Sequence, residues 1–170
     1  MDTLEISLFR GLIFNLFVGT IFHFTYFITH NKLVGYFSST SKSLWEHMKT
    51  AVLPMIIYWC FMKYAYSSSF NNMAFALGVA IIVYISFSVF ITKLYLIPYN
   101  RRLSSMDCLI YIFSIICSYN CMGFLFTLDS FHFSFEMIGV FISISITIAF
   151  LRLSFNPLDT WIFRSSNIKR

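Results

Sequence analysis

The residues in this chain best suited to chemistry crowd into one stretch. His23, Tyr26 and His30 stand at i, i+3 and i+7 and so share a face of one helix, and Trp45, Glu46, His47 and Lys49 follow at the start of another. Imidazoles beside a carboxylate can ligate a transition metal, and a lone imidazole can serve as a general base. The spacing argues against a metal. The two upstream histidines and the Glu46-His47 pair lack the i, i+4 histidine spacing of a metalloprotease helix, so no metal and no cofactor is expected.

Each member also has an ordinary reading. Ser43-Leu44-Trp45-Glu46 fits a capping box, in which Ser and Glu satisfy each other's free backbone donors at a helix start. Trp45 suits an interfacial aromatic belt, Lys49 can snorkel to headgroups, and His47 can hydrogen-bond at that level. His23 falls about a turn inside the hydrocarbon edge. An intramembrane imidazole needs a partner, and a histidine satisfied by packing is expected more than a ligand.

Other candidates are sparser. Arg101 and Arg102, in the run Pro98-Tyr99-Asn100-Arg101-Arg102, and Arg164 near the end present guanidinium forks that match phosphate oxygens; they are read as anionic headgroup contacts or as topology markers. Asp129, His132 and Glu136 form a second, weaker polar group. Cys60, Cys108, Cys117 and Cys121 lack redox or zinc spacing and read as packed, reduced thiols. There is no nucleophile elbow, phosphate-binding loop, His-Glu-x-x-His or acidic pair, so nothing in the sequence argues positively for catalysis.

The elements that must position these residues follow from composition. Of 170 residues 58% are hydrophobic and 11% charged, against about 25% charged in a soluble domain; the mean hydropathy is +0.75. In hydrocarbon every backbone polar group must be paired internally, which leaves helices or closed barrels. The apolar stretches are continuous for about 20 residues, the length of a spanning helix, rather than alternating. The expectation is an all-α polytopic membrane helix bundle with about five transmembrane helices, forming a single transmembrane domain over residues 1–170.

The five segments run from about Ile6 to Ile28, Ser43 to Tyr66, Met73 to Thr92, Cys108 to Leu128 and Phe135 to Leu153. The first is interrupted by Arg10, Asn15 and His23, and reads as a retained helix because Asp2 and Glu5 precede it and no cleavage site follows. The second contains Pro54, expected to kink it. The short link from Asp129 to Ser134 makes the last two an antiparallel hairpin.

With five spans, Arg10 and Lys63 fall on one side, while Lys32, Lys42, Lys49, Lys93, Arg101, Arg102, Arg152, Arg164, Lys169 and Arg170 fall on the other. Basic loops stay on the cytoplasmic side, which predicts the amino terminus outside and the carboxyl terminus in the cytoplasm. The net charge of +5 is thereby explained by anionic headgroups, and no nucleic-acid partner is expected. The expected partners are the lipid bilayer and other membrane subunits.

One stretch resembles a known family. His23-Phe24-Thr25-Tyr26, then Ser43-Leu44-Trp45-Glu46-His47-Met48-Lys49 with Pro54 after it, is similar to an uncharacterised family of small bacterial multi-pass membrane proteins. Its mark is an Asn-Glu-Ser-x-Trp-Glu-His-x-Lys segment before an apolar helix. Ser41-Lys42 replaces the Asn-Glu pair, and Phe155-Asn156-Pro157 through Trp161-Ile162-Phe163-Arg164 echoes the family's end. The resemblance implies a bacterial cytoplasmic membrane location and draws attention to the same polar cluster without supplying an activity.

Two functions remain to be weighed. One is a non-enzymatic transport-related or assembly subunit; the other is a membrane-embedded enzyme acting on lipid or isoprenoid substrates through Glu46 and one of His23, His30 or His47.

Overall fold

Helix α1 (Thr3–Thr29) buries a face of small or polar residues: Ser7, Gly11, Asn15 and Gly19, one every fourth position. Its large apolar residues point outward, with Phe17 68% and Phe24 54% exposed. This pattern is inverted relative to a soluble helix and is the one a helix facing lipid would show. Acyl chains are as apolar as a protein interior, so the contact between helices is set by close approach and hydrogen bonding rather than by hiding hydrocarbon.

The computed structural model describes residues 3–66, 70–99 and 102–163. Within them the chain is all-helical: α1, the short α2 (Lys32–Gly35), α3 (Leu44–Tyr66), α4 (Met73–Tyr99), α5 (Ser104–Thr127) and α6 (Phe133–Leu153). Four helices, α1, α4, α5 and α6, are each long and apolar enough to cross a membrane. Helix α3 is the fifth long helix and carries Glu46 and Lys49 near its start and Lys63 near its end. Its first half is buried almost all round, from Met48 through Met55, with α1, α4, α5 and α6 against it. Neighbouring helices cover that stretch, and its polar residues find their partners within the protein.

The ends of the helices meet in two groups. At one end the Trp59 indole donates to the Met73 carbonyl (2.7 Å), and the Tyr58 hydroxyl donates to the Ser7 carbonyl (2.6 Å). Asn72, at a positive φ of 55°, a region Asn tolerates better than most residues, sends its amide to the Leu125 and Asp129 carbonyls (3.2 and 2.9 Å). It also accepts from Phe131 N–H (2.7 Å). Glu136 accepts from Ala74 N–H (2.8 Å), closing the start of α4, and the His132 ring accepts from Ser134 N–H to cap α6. Asp129, His132 and Glu136 thus tie the loops between helices.

Helices α4 and α6 cross at Gly78 and Gly139, where each glycine stands against backbone of the other helix. At the other end of the bundle gather the end of α1, the start of α3, the ends of α4 and α6 and the start of α5.

Several boundaries differ from the hydropathy reading. Helix α4 continues about two turns past Thr92, through Pro98 to Tyr99, because hydropathy marks where the apolar span stops and not where the helix stops. The loop after α1 contains α2, capped by Asn31, whose side chain accepts from Leu33 N–H (2.9 Å). Cys60 and Cys108 are exposed rather than packed, while Cys117 and Cys121 are half-buried; all four are free thiols.

Candidate functional site

The polar residues between His23 and Lys49 divide into separate groups. The first is a buried ion pair. Ser43 Oγ accepts from Glu46 N–H (3.3 Å), as a capping box requires, but the Glu46 carboxylate does not return to Ser43. It accepts instead from Thr40 N–H (2.8 Å) and pairs with Lys49 Nζ at 2.8 Å, with the two side chains 3% and 0% exposed. The expected reciprocal box is therefore only half formed.

Lys49 does not snorkel. Its ammonium donates to the Gly35 carbonyl (2.8 Å) and to Ser154 Oγ (2.7 Å), so all three of its donors are used within the protein. Helix α2, α3 and the end of α6 are fastened at one point.

Trp45 lies between Phe150 (4.5 Å between ring centroids) and Phe163 (4.9 Å), and its backbone N–H donates to the Ile162 carbonyl (3.2 Å). Tyr36 meets Phe155 edge-on at 4.9 Å. The carboxyl-terminal segment therefore folds over the start of α3, joining the two stretches that carried the family resemblance.

His30 follows the last residue of α1 at a positive φ of 49° and is exposed. It lies beside Tyr26, ring centroids 6.4 Å apart. Tyr26 N–H donates to Ser38 Oγ (2.9 Å), which donates in turn to the Phe22 carbonyl; Ser39 N–H also donates there (3.1 Å). The loop is thereby pinned to α1.

His23 and His47 do converge, with ring centroids 4.7 Å apart. The His47 Nδ1 lies 2.8 Å from the Ser43 carbonyl; a carbonyl can only accept, so Nδ1 carries the hydrogen and Nε2 is the ring's remaining polar atom. Both rings line a pocket of ≈ 380 Å³ together with Thr20, Lys42, Thr50, Asp107 and Tyr111. That volume lies within the range of small-molecule sites, about 300–1,000 Å³. Thr20, Phe24, Lys42 and Cys108 are exposed at its rim, so the mouth opens on the flank of the bundle between α1 and α5.

Two local features shape the pocket. Pro54 has no N–H, so the Thr50 carbonyl four residues earlier lacks its helical donor, and that carbonyl faces α1 at Gly19. Gly19 leaves the space taken by the Tyr111 hydroxyl, which a Cβ there would strike.

Asp107 is held by Arg102 (2.7 Å) and accepts from the Tyr95 hydroxyl (2.8 Å), so its charge is answered within the wall. Arg102 also donates to the Lys42 carbonyl (2.8 Å), and its side chain is 7% exposed. Its guanidinium is turned into the protein, away from the headgroup contact expected of it. Arg101 and Arg164 lie outside the described residues. A second void of ≈ 10 Å³ adjoins the pocket through His47, Asp107 and Tyr111, room for about one water.

Among the described residues no group of three or more His, Cys, Asp or Glu side chains is placed to hold a metal ion. The arrangement that exists is a small polar pocket lined by two imidazoles, the Lys42 ammonium, hydroxyls and a carboxylate paired with Arg102. Sequence reading missed Lys42, Thr50, Asp107 and Tyr111 as its partners. The available signal was the i, i+4 step from Gly19 to His23, which puts both on the buried face of α1.

No curated protein and no solved structure matches this chain. Residues 2–169, nearly its whole length, match the family of unknown function DUF6512, and the chain belongs to that family.

Proposed function

We propose that this protein is a non-enzymatic, transport-related membrane protein that holds a small anionic, amphipathic ligand in the pocket between α1, α3 and α5. In this reading it is a single five-span domain in a bacterial cytoplasmic membrane, with its amino terminus outside and the pocket near the cytoplasmic face. The imbalance of basic residues between the two ends supports that orientation.

The observation that carries the reading is a flank-opening pocket of ≈ 380 Å³ with the exposed Lys42 ammonium at its rim, beside the converging rings of His23 and His47. Lys42 supplies a positive charge at the rim and Phe24 offers an apolar wall, while the Thr50 and Tyr111 hydroxyls donate to the His47 and Asn15 carbonyls. Asp107 does not repel an anion because Arg102 neutralises it. The mouth faces lipid, which suits a ligand with an apolar portion. The enzymatic alternative is weakened because Glu46, its proposed acid or base, is enclosed with Lys49 and a loop amide.

Thermal unfolding of detergent-purified protein with dodecyl phosphate, inorganic phosphate and dodecyl maltoside tests the reading. Dodecyl phosphate raises the melting temperature of the wild type and fails to do so in Lys42→Ala with His47→Ala. If no anionic probe shifts the wild type, the ligand assignment is wrong.

A further inference from the structure

We propose that the α1 face bearing Ser7, Gly11, Asn15, Gly19 and His23 is a proton-conducting track that links the pocket to the opposite end of the bundle. The five positions are spaced four apart. At about 1.5 Å per residue they cover about 24 Å, most of a hydrocarbon core about 30 Å thick.

Tyrosine side chains from α3 and α5 fill the space that these small residues leave. The Tyr111 hydroxyl sits over Gly19 and donates to the Asn15 carbonyl (3.3 Å). The Tyr58 and Tyr119 rings both lie on Gly11. The Tyr119 hydroxyl is beside the Asn15 side chain without reaching hydrogen-bond geometry, and the Tyr58 hydroxyl donates to the Ser7 carbonyl (2.6 Å). From the imidazoles inward the order is Tyr111 with the Thr50 carbonyl, Asn15, Tyr119, Tyr58 and Ser7.

Asn15 supplies the independent observation. It is 0% exposed, and neither atom of its side-chain amide has a hydrogen-bond partner in the protein; the buried Tyr119 hydroxyl is unpartnered as well. At this depth an unsatisfied amide is strongly unfavourable. Close helix approach needs only a small residue, and Ala or Ser would serve. The carboxamide, with the Tyr119 hydroxyl as its polar neighbour, is instead suited to orienting water within the track.

The transfer step balances. Each hydroxyl or water gains a proton on its oxygen as it gives up its own, which reverses the direction of its O–H; Tyr111 and Tyr58, which donate to the Asn15 and Ser7 carbonyls, rotate to take part and rotate back before the next transfer. One proton enters at the His23 and His47 end, one leaves beside Ser7, and no group is oxidised or reduced. Water is the co-reactant that bridges Tyr111, Asn15 and Tyr119. The charged groups near the pocket end are Lys42 and the Arg102 and Asp107 pair, and α1 carries Glu5 and Arg10 at the far end. Conduction needs no ligand, so it goes beyond the binding function proposed above.

The test uses purified protein in vesicles containing a pH-sensitive dye, with a potassium gradient and valinomycin setting the membrane potential. Wild-type vesicles change internal pH several-fold faster than protein-free vesicles. Asn15→Leu and Tyr119→Phe, the latter keeping the ring, each reduce the rate to that of protein-free vesicles, whereas Tyr64→Phe, at a fully exposed site, leaves it unchanged. If Asn15→Leu does not fold, Tyr111→Phe takes its place. A wild-type rate equal to that of protein-free vesicles overturns the proposal, as does a folded Tyr119→Phe variant conducting like the wild type. Dodecyl phosphate binding is measured separately on Tyr119→Phe, so failure of the track and failure of the pocket reading are distinguished.

Discussion

Replacing Lys49 with methionine keeps the length of the side chain and removes its charge. The ammonium is fully buried and donates to Glu46, the Gly35 carbonyl and Ser154 Oγ at 2.8, 2.8 and 2.7 Å. Its loss leaves a carboxylate that is 3% exposed with Thr40 N–H as its remaining donor, and leaves the Gly35 carbonyl without this partner. Removing one member of a buried pair costs about 3–5 kcal/mol. At about 2–4 °C per kcal/mol for a chain of this size, the melting temperature falls by about 6–20 °C.

The assay is thermal unfolding in detergent for wild type, Lys49→Met, Glu46→Gln and the double variant. Glu46→Gln with Lys49→Met loses less than the two single changes added together, because the double change leaves no buried charge. A Lys49→Met protein within about 1 kcal/mol of wild type would show an exposed pair of the weak kind and refute the argument. So would strictly additive losses in the double variant.

Three further outcomes are expected. Gly139→Ala drives a methyl into the Ala74 carbonyl and to within 2.5 Å of Phe75 Cα; because backbone cannot swing aside, α4 and α6 separate at a cost of about 1–3 kcal/mol or more, read as a lower melting temperature. Arg102→Ala leaves Asp107 unpaired and frees the Lys42 carbonyl, lowering stability by about 2–5 kcal/mol and weakening retention of anionic probes in the pocket. Tags at the two ends of the chain, probed in intact cells with an impermeant reagent, label at the amino end only; labelling at the carboxyl end reverses the proposed orientation.

How much could be read in advance depended on whether the deciding physics was local. Backbone hydrogen bonding inside lipid is a local demand, so the long helices appear close to where runs of apolar residues put them, and Ser43 does start α3. The convergence of His23 and His47 does not follow from their placement at two helix ends; it requires that α1 lie against α3.

Partner choice was not local. Glu46 has the right spacing to return to Ser43, yet it turns to Thr40 and Lys49 because the loop and the end of α6 close over it. Lys49 has the composition of a snorkelling residue, but α2 and the end of α6 close over it and it is fully buried. Asp107, Tyr111 and Lys42 come from parts of the chain distant from His23 and reach the pocket only through helix packing. In a membrane bundle the lipid-facing and protein-facing surfaces are equally apolar, so hydropathy does not mark which face a neighbour will cover. The sequence by itself set the long apolar helices and the polar interruptions of α1; the tertiary structure decided which helices adjoin, and with that which polar groups are paired, sealed in or left to line a cavity.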